Sequence, residues 1–177
     1  MDEIIDLIDE QDQVIGQELK SKCHKEKLLH RSVNIFVFRD DSFRELLLQK
    51  RNATKGMNGG KLCMPGGHLH AHDGYLEGAK RELQEEMFHD RKLPRGLVFE
   101  ELFKIRKSAD NDYEITALYR TVARGPFTVD PAEVESCFFE DIYLLLEKIT
   151  KKPEEYTATT IFLLQEYHKN VMSFERL

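Results

Sequence analysis

Residues 67–88 read Gly67-HLHAH-Asp73-GYLEGAK-Arg81-Glu82-Leu83-Gln84-Glu85-Glu86-Met87-Phe88. Helix geometry gathers Glu82, Glu85 and Glu86, at i, i+3 and i+4, into a sector of roughly 100°. Three carboxylates that close repel one another, and a cation relieves the repulsion. Mg²⁺ is the hard, oxygen-seeking cation that commonly bridges one or two carboxylates to substrate phosphates. Leu76, Ala79, Leu83 and Met87 form a separate apolar stripe. A helix over 74–88 would therefore bury one face and arm another.

The same stretch resembles the Nudix box, which reads Gly, five residues, Glu, seven residues, then Arg-Glu-apolar-any-Glu-Glu-any-Gly-apolar. Gly67, Arg81, Glu82, Leu83, Glu85 and Glu86 stand at the matching positions. Asp73 replaces the first Glu, Phe88 the second Gly, and His89 the last apolar residue. Phe88 is poorly suited to a left-handed helix end, so the departures bear on the exit of the helix more than on its chemistry. The bland reading is a solvated acidic helix face. Gly66-Gly67 and the spaced Asp73 weigh against it. The resemblance implies an α/β/α sandwich with a mixed sheet. It also implies Mg²⁺ or Mn²⁺ held by Glu82, Glu85, Glu86 and the Gly67 carbonyl, with Arg81 orienting Glu82 or Glu85.

Working outward, 33–38 (VNIFVF) is rich in β-branched and aromatic residues and predicts a strand, with a turn at 40–42 and a strand over 45–49. Strands are also expected at 4–8, 14–16, 62–64, 97–106 and 113–123, with a turn at 108–112. A helix is expected at 18–27. Residues 138–149 begin as strand or loop and become helix, and Pro153 opens a last helix reaching about 171. One domain, 1–177, is expected, with 1–30 a hairpin-and-helix extension and 67–89 the box. The hairpin offers strand edges through which two copies could pair as a homodimer.

The chain has 177 residues, 41% hydrophobic and 33% charged, with a formal charge of −6. That balance leaves no basic excess for a nucleic-acid polymer or an anionic membrane. Three cysteines, Cys23, Cys63 and Cys137, form no paired motif and predict reduced thiols in the cytoplasm. The start has no basic region followed by an apolar run, and no stretch approaches the length of a membrane span.

A second constellation comprises His24, His30, His68, Asp112 and Glu114, types that suit an oxygen-and-imidazole metal site. Each histidine taken singly is more readily a structural or solvated one. The layout is similar to the isopentenyl-diphosphate isomerase branch of the superfamily, through IIDLIDEQDQVIGQ, LHRSVNIFVF and LLLQKR. In that branch three His and later Glu residues hold a metal, and a Cys two positions before the box His transfers a proton. Here Asp112 replaces a Glu, the first two histidines stand one residue closer, and the Cys position is Gly66. Cys63 reads as a small buried hydrophobe. The Arg-Glu and Glu-Glu pairs, often eroded in the isomerases, are intact.

The expected reaction is therefore metal-dependent hydrolysis of a nucleoside or other organic diphosphate linked to a further group. A box glutamate or Glu114 serves as general base. Arg51, Lys55 and Lys61, with Lys50, precede the box and could meet the distal phosphate, although each also reads as surface charge. The alternatives are isomerisation of isopentenyl diphosphate and a non-catalytic nucleotide-binding module. The intact glutamate set argues against the module.

Overall fold

The computed structural model describes residues 2–106 and 113–172. Nine strands and four α-helices are described: β1 (Ile4–Ile8), β2 (Val14–Leu19), α1 (Lys20–Glu26), β3 (His30–Phe38), β4 (Glu45–Arg51), β5 (Leu62–Cys63), β6 (Gly66–His68), α2 (Tyr75–Met87), β7 (Glu100–Arg106), β8 (Glu114–Val122), β9 (Val134–Asp141), α3 (Ile142–Lys151) and α4 (Ala158–Tyr167). The sheet is mixed. β3 pairs in parallel with β8 along its whole length, and the other paired strands run antiparallel. No described helix is long and apolar enough to cross a membrane.

β3 explains the layering. Its side chains alternate between the two faces of the sheet. Val33, Ile35 and Val37 join Ala79, Leu83 and Met87 of α2 in one core. Phe36 and Phe38 point the other way and join Leu145 and Ile149 of α3 and Leu163 and Leu164 of α4. β4 divides likewise, Leu47 to the first core and Leu46 and Leu48 to the second. A strand apolar on both faces must be covered twice, so helices close both sides and the α/β/α sandwich follows.

Several boundaries differ from the sequence-based expectation. β3 begins at His30 rather than Val33, because Leu7 of β1 and Glu114 of β8 both pair with His30. β9 begins at Val134, since β4 offers it a full antiparallel partner. β2 runs on to Leu19 opposite Ile4, which delays α1 to Lys20. β6 was not expected, because paired glycines weaken a strand; β3 recruits it through Ser32, Val33 and Asn34. α2 ends without a left-handed residue. Phe88 caps it at φ −129°, with its ring buried 5.6 Å from that of Phe127. Packing replaces the missing glycine. The last helix is shorter than expected and passes into a π-helical turn, His168–Met172. The turn at 108–112 lies outside the described residues, as does Asp112.

Candidate active site

The amphipathic helix α2 stands its acidic face over β6, in a cleft of about 500 Å³. Glu82, Glu85, Glu86, Arg81, Gly66, Gly67 and His68 line it. Arg81 holds the arrangement together. Its guanidinium donates to Glu82 Oε1 (2.7 Å), Glu85 Oε2 (3.3 Å) and Asp73 Oδ2 (3.2 Å), and to the His68 carbonyl at 2.8 Å. Asp73 thus acts through Arg81. The fork that binds the glutamates also locks β6 to the helix.

Glu86 is 6% exposed. Its Oε2 accepts from the Gly66 N–H and from Gln49 Nε2, both at 3.0 Å. Burial, reinforced by the Glu82 charge, pushes its pKa up to about 8. Burial likewise raises Glu82 to about 7, against the opposing pull of Arg81. Glu85 is half-exposed. A buried and a partly buried acid, both of high proton affinity, beside a third carboxylate are poorly neutralised by the protein itself, and a divalent cation suits the set.

The cations before the box separate. Arg51 lines both this cleft and a smaller groove beyond Gly66. Lys55 pairs with Glu133, which also lines the cleft. Lys50 pairs with Glu135 at 2.9 Å. Lys61 borders a separate hollow with Lys50 and Phe138, and the structure does not bring it into the cleft. Sequence reasoning missed Lys20. It lines the cleft from the N-terminal extension, paired with Glu3 at 2.8 Å. It also missed Gln49, whose burial shows only once β4 is seen inside the sheet.

On the far side of β6, His24, His30, His68 and Glu114 converge. One ligand atom from each lies within 4.8 Å of all the others. Lys27 creates this meeting. It ends α1 in the left-handed region (φ 57°) and turns the chain back, so that the His24 and His30 rings stand 5.0 Å apart. Glu114 joins through the β3–β8 pairing, in register with His30. Its Oε1 lies 3.2 Å from His68 Nε2, and its Oε2 accepts from Ser32 Oγ at 2.5 Å. His30 is fully buried, and its Nδ1 must donate to the Leu28 carbonyl at 2.7 Å, since a carbonyl only accepts. The lone pair is then on Nε2, a buried atom without a hydrogen-bond partner. Burial lowers the pKa of this imidazole, keeping it neutral. A neutral imidazole aimed at two others and a carboxylate fits a divalent metal.

Gly66 has φ +149°, and a Cβ there would land on the Val33 carbonyl oxygen and lie 2.8 Å from Asn34 Cα. No thiol can stand at this position without moving β3. Cys63 is buried in the same groove, with Gln49 Nε2 3.6 Å from its sulfur. Burial beside Glu86 pushes its thiol up to about 11, so it stays protonated at neutral pH.

The NUDIX domain pattern matches residues 28–160 of this chain. An isopentenyl-diphosphate Delta-isomerase of Serratia proteamaculans is 31% identical over 97% of this chain and 95% of its own length. A Yersinia pestis protein described as an uncharacterized Nudix hydrolase is 30% identical over 90% of this chain and 82% of its own length. Among solved structures, DR0079 from Deinococcus radiodurans superposes with a TM-score of 0.74 at 20% identity, over 93% of this chain and 98% of that one. This likeness concerns the fold.

Proposed function

The chain belongs to the Nudix family, and from that premise we propose that it is a Mg²⁺- or Mn²⁺-dependent pyrophosphohydrolase acting on an organic diphosphate linked to a further group. The observation that carries this reading is the α2 cleft, where Glu82, Glu85 and Glu86 converge on one hollow with Arg81 fixing two of them. A divalent cation bound there supplies charge neutralisation for phosphate oxygens and a lowered pKa for the attacking water.

The residues divide the remaining work. Glu82, Glu85, Glu86 and the Gly67 carbonyl hold the cation. Gln49 and the Gly66 N–H fix one oxygen of Glu86. Arg51 and Lys20 meet the phosphates from the cleft walls, with Lys55 behind them on the wall residue Glu133. A box carboxylate takes the proton of the attacking water. Glu114 is less suited to that task, because both its oxygens are engaged by His68, Ser32 and Thr116. His24, His30, His68 and Glu114 form a second metal site.

That second site favours one other reading, isomerisation of isopentenyl diphosphate, since the isomerases use such a set. Gly66 opposes it: isomerisation needs an acid and a base across an unactivated alkene, and no side chain fits on the Gly66 side. One experiment separates the two. Metal-stripped protein is incubated with a diphosphate panel that includes isopentenyl diphosphate, with Mg²⁺ or with excess chelator. Phosphate or phosphomonoester release should require metal, and no dimethylallyl product should form. Turnover in chelator would end the metal-hydrolase reading. Isomerisation lost in Cys63→Ser would replace it.

A further inference from the structure

Among the described strands of six residues or more, β2, β7 and β9 each pair on one side alone. A strand edge left open is a template for another chain, and charged side chains are the usual guard against it. β7 (EELFKIR) carries four charges in seven residues, and β9 (VESCFFED) carries three carboxylates in eight. β2 (VIGQEL) carries one charge, Glu18, which is paired with Lys22. Val14, Ile15 and Leu19 of β2 are aliphatic and exposed, Ile15 by 67%, as is Ile4 opposite Leu19 on β1.

The β1–β2 ladder decides which groups of β2 face outward. The Lys20 N–H donates to the Glu3 carbonyl at 2.8 Å. Alternation along an antiparallel pair then turns the N–H and C=O of Glu18 and Gly16 toward β1, and those of Ile15, Gln17 and Leu19 away from it. Glu18 Oε1 accepts from the Leu19 N–H at 3.0 Å, whereas the Ile15 and Gln17 N–H groups have no acceptor among the described residues. The side chains keep the same count. Gln17 Nε2 donates to Asp6 Oδ1 at 3.0 Å, so Gln17 shares a face with Asp6, and Ile15 and Leu19 share it with Gln17.

We propose that β2 pairs antiparallel with β2 of a second copy of this chain, about a two-fold axis at Gln17. That register is self-complementary, as a two-fold interface must be. Gln17 exchanges both backbone bonds with Gln17 of the second copy. Ile15 does the same with Leu19 of the second copy, whose N–H leaves Glu18 for a carbonyl. The joined sheet then carries an apolar row, Ile4, Leu19 and Ile15 of the second copy, on each side of a polar row of Asp6 and Gln17. Glu18 stands opposite Gly16, so no like charges meet. The open edge ends one residue before Lys20, which lines the α2 cleft, so the interface reaches the wall of the candidate active site. The pairing stands independently of the diphosphate reading.

Sedimentation of the whole chain, with thiols kept reduced, should show monomer passing to dimer as concentration rises through the micromolar range. Amide hydrogen exchange at Gln17 should slow over the same range. Gln17→Pro removes an N–H that β1 does not use and should weaken the dimer by at least about tenfold, the worth of one or two net hydrogen bonds. Ile15→Lys sets a charge in the apolar row and should weaken the dimer to a similar extent. Its side chain is exposed in the monomer, so the melting temperature of dilute protein should not change, which covers the case of a misfolded Gln17 variant. A monomer at every concentration would overturn the proposal. So would a dimer indifferent to both substitutions, or exchange protection gained at β7 or β9 in place of β2.

Discussion

The two candidate metal sites flank the same short strand, β6, and handle charge in opposite ways. In the α2 cleft three carboxylates crowd together, and two of them, Glu82 and the buried Glu86, have raised proton affinity. In the histidine cluster one carboxylate sits among three imidazoles, with its oxygens satisfied by hydrogen bonds. The first site crowds like charges, and an all-oxygen set of that kind suits hard ions. The second offers a single carboxylate among imidazoles and suits imidazole-preferring metals. They touch through residue 68, whose ring belongs to the cluster and whose carbonyl is held by Arg81.

The largest expected effect falls on the first site alone. Glu85→Gln and Glu86→Gln should each lower kcat by at least about 10²-fold. Removing an ionisable carboxyl from a crowded set should leave the melting temperature of the metal-free protein unchanged or higher. A large drop in melting temperature with normal turnover would show these residues to be structural and erase the contrast. The second site should respond differently. His30→Ala should weaken Zn²⁺ or Mn²⁺ binding at the cluster by about 10–100-fold, measured by competition with a chromophoric chelator. Mg²⁺ affinity at the α2 cleft should stay within about threefold. Equal losses at both sites would mean that they are one site.

Gln49→Met should lower kcat by about tenfold, the scale of a hydrogen bond to a charged group. It should also move the acidic limb of the pH–rate profile upward, because Glu86 loses a donor that favours its ionised form. An unmoved limb would assign Gln49 to packing alone.

The smallest effect sharpens the electrostatic difference. Glu82 and Glu86 hold their protons to about 7 and about 8 in the folded chain, against an ordinary 4.5. Above pH 6.5 the unfolded chain has lost these protons while the folded chain retains them, so stability falls with rising pH. Between pH 6.5 and 8 the loss is about 2 kcal/mol, or several degrees in Tm for a chain of this size. His30 works the other way, but only as pH falls below its ordinary 6.5, where the unfolded chain takes up a proton that the buried ring refuses. Mg²⁺ should restore Tm more at pH 8 than at pH 6.5. A flat Tm in metal-free protein would show that the cleft carboxylates are not strained.

Much of the α2 cleft was legible because it is local. The i, i+3, i+4 spacing, the apolar stripe and the glycine pair all lie within one helix and its approach. Strands 4–8 and 33–38 were legible for the same reason, since alternating or β-branched runs carry their own signal. β6 and the first half of β9 were not. Their residues have weak strand preference, and β3 and β4 recruit them by pairing. The histidine cluster was suspected as a set of residue types, but its members lie on α1, β3, β6 and β8.

The sequence by itself determined the acidic helix face, the two-sided hydrophobic strand that demands cover on both sides, and the vacancy of a thiol at position 66. Helical and strand periodicity are properties of a few neighbouring residues, so they can be read before folding. Only the tertiary structure decided which cations share the cleft, bringing in Lys20 and leaving out Lys61, and that Glu114 meets three histidines while Asn34 faces a threonine-lined groove. Those meetings depend on strand register and on a single left-handed residue at Lys27. They bring together residues as far apart as 24 and 114, for which no local pattern exists.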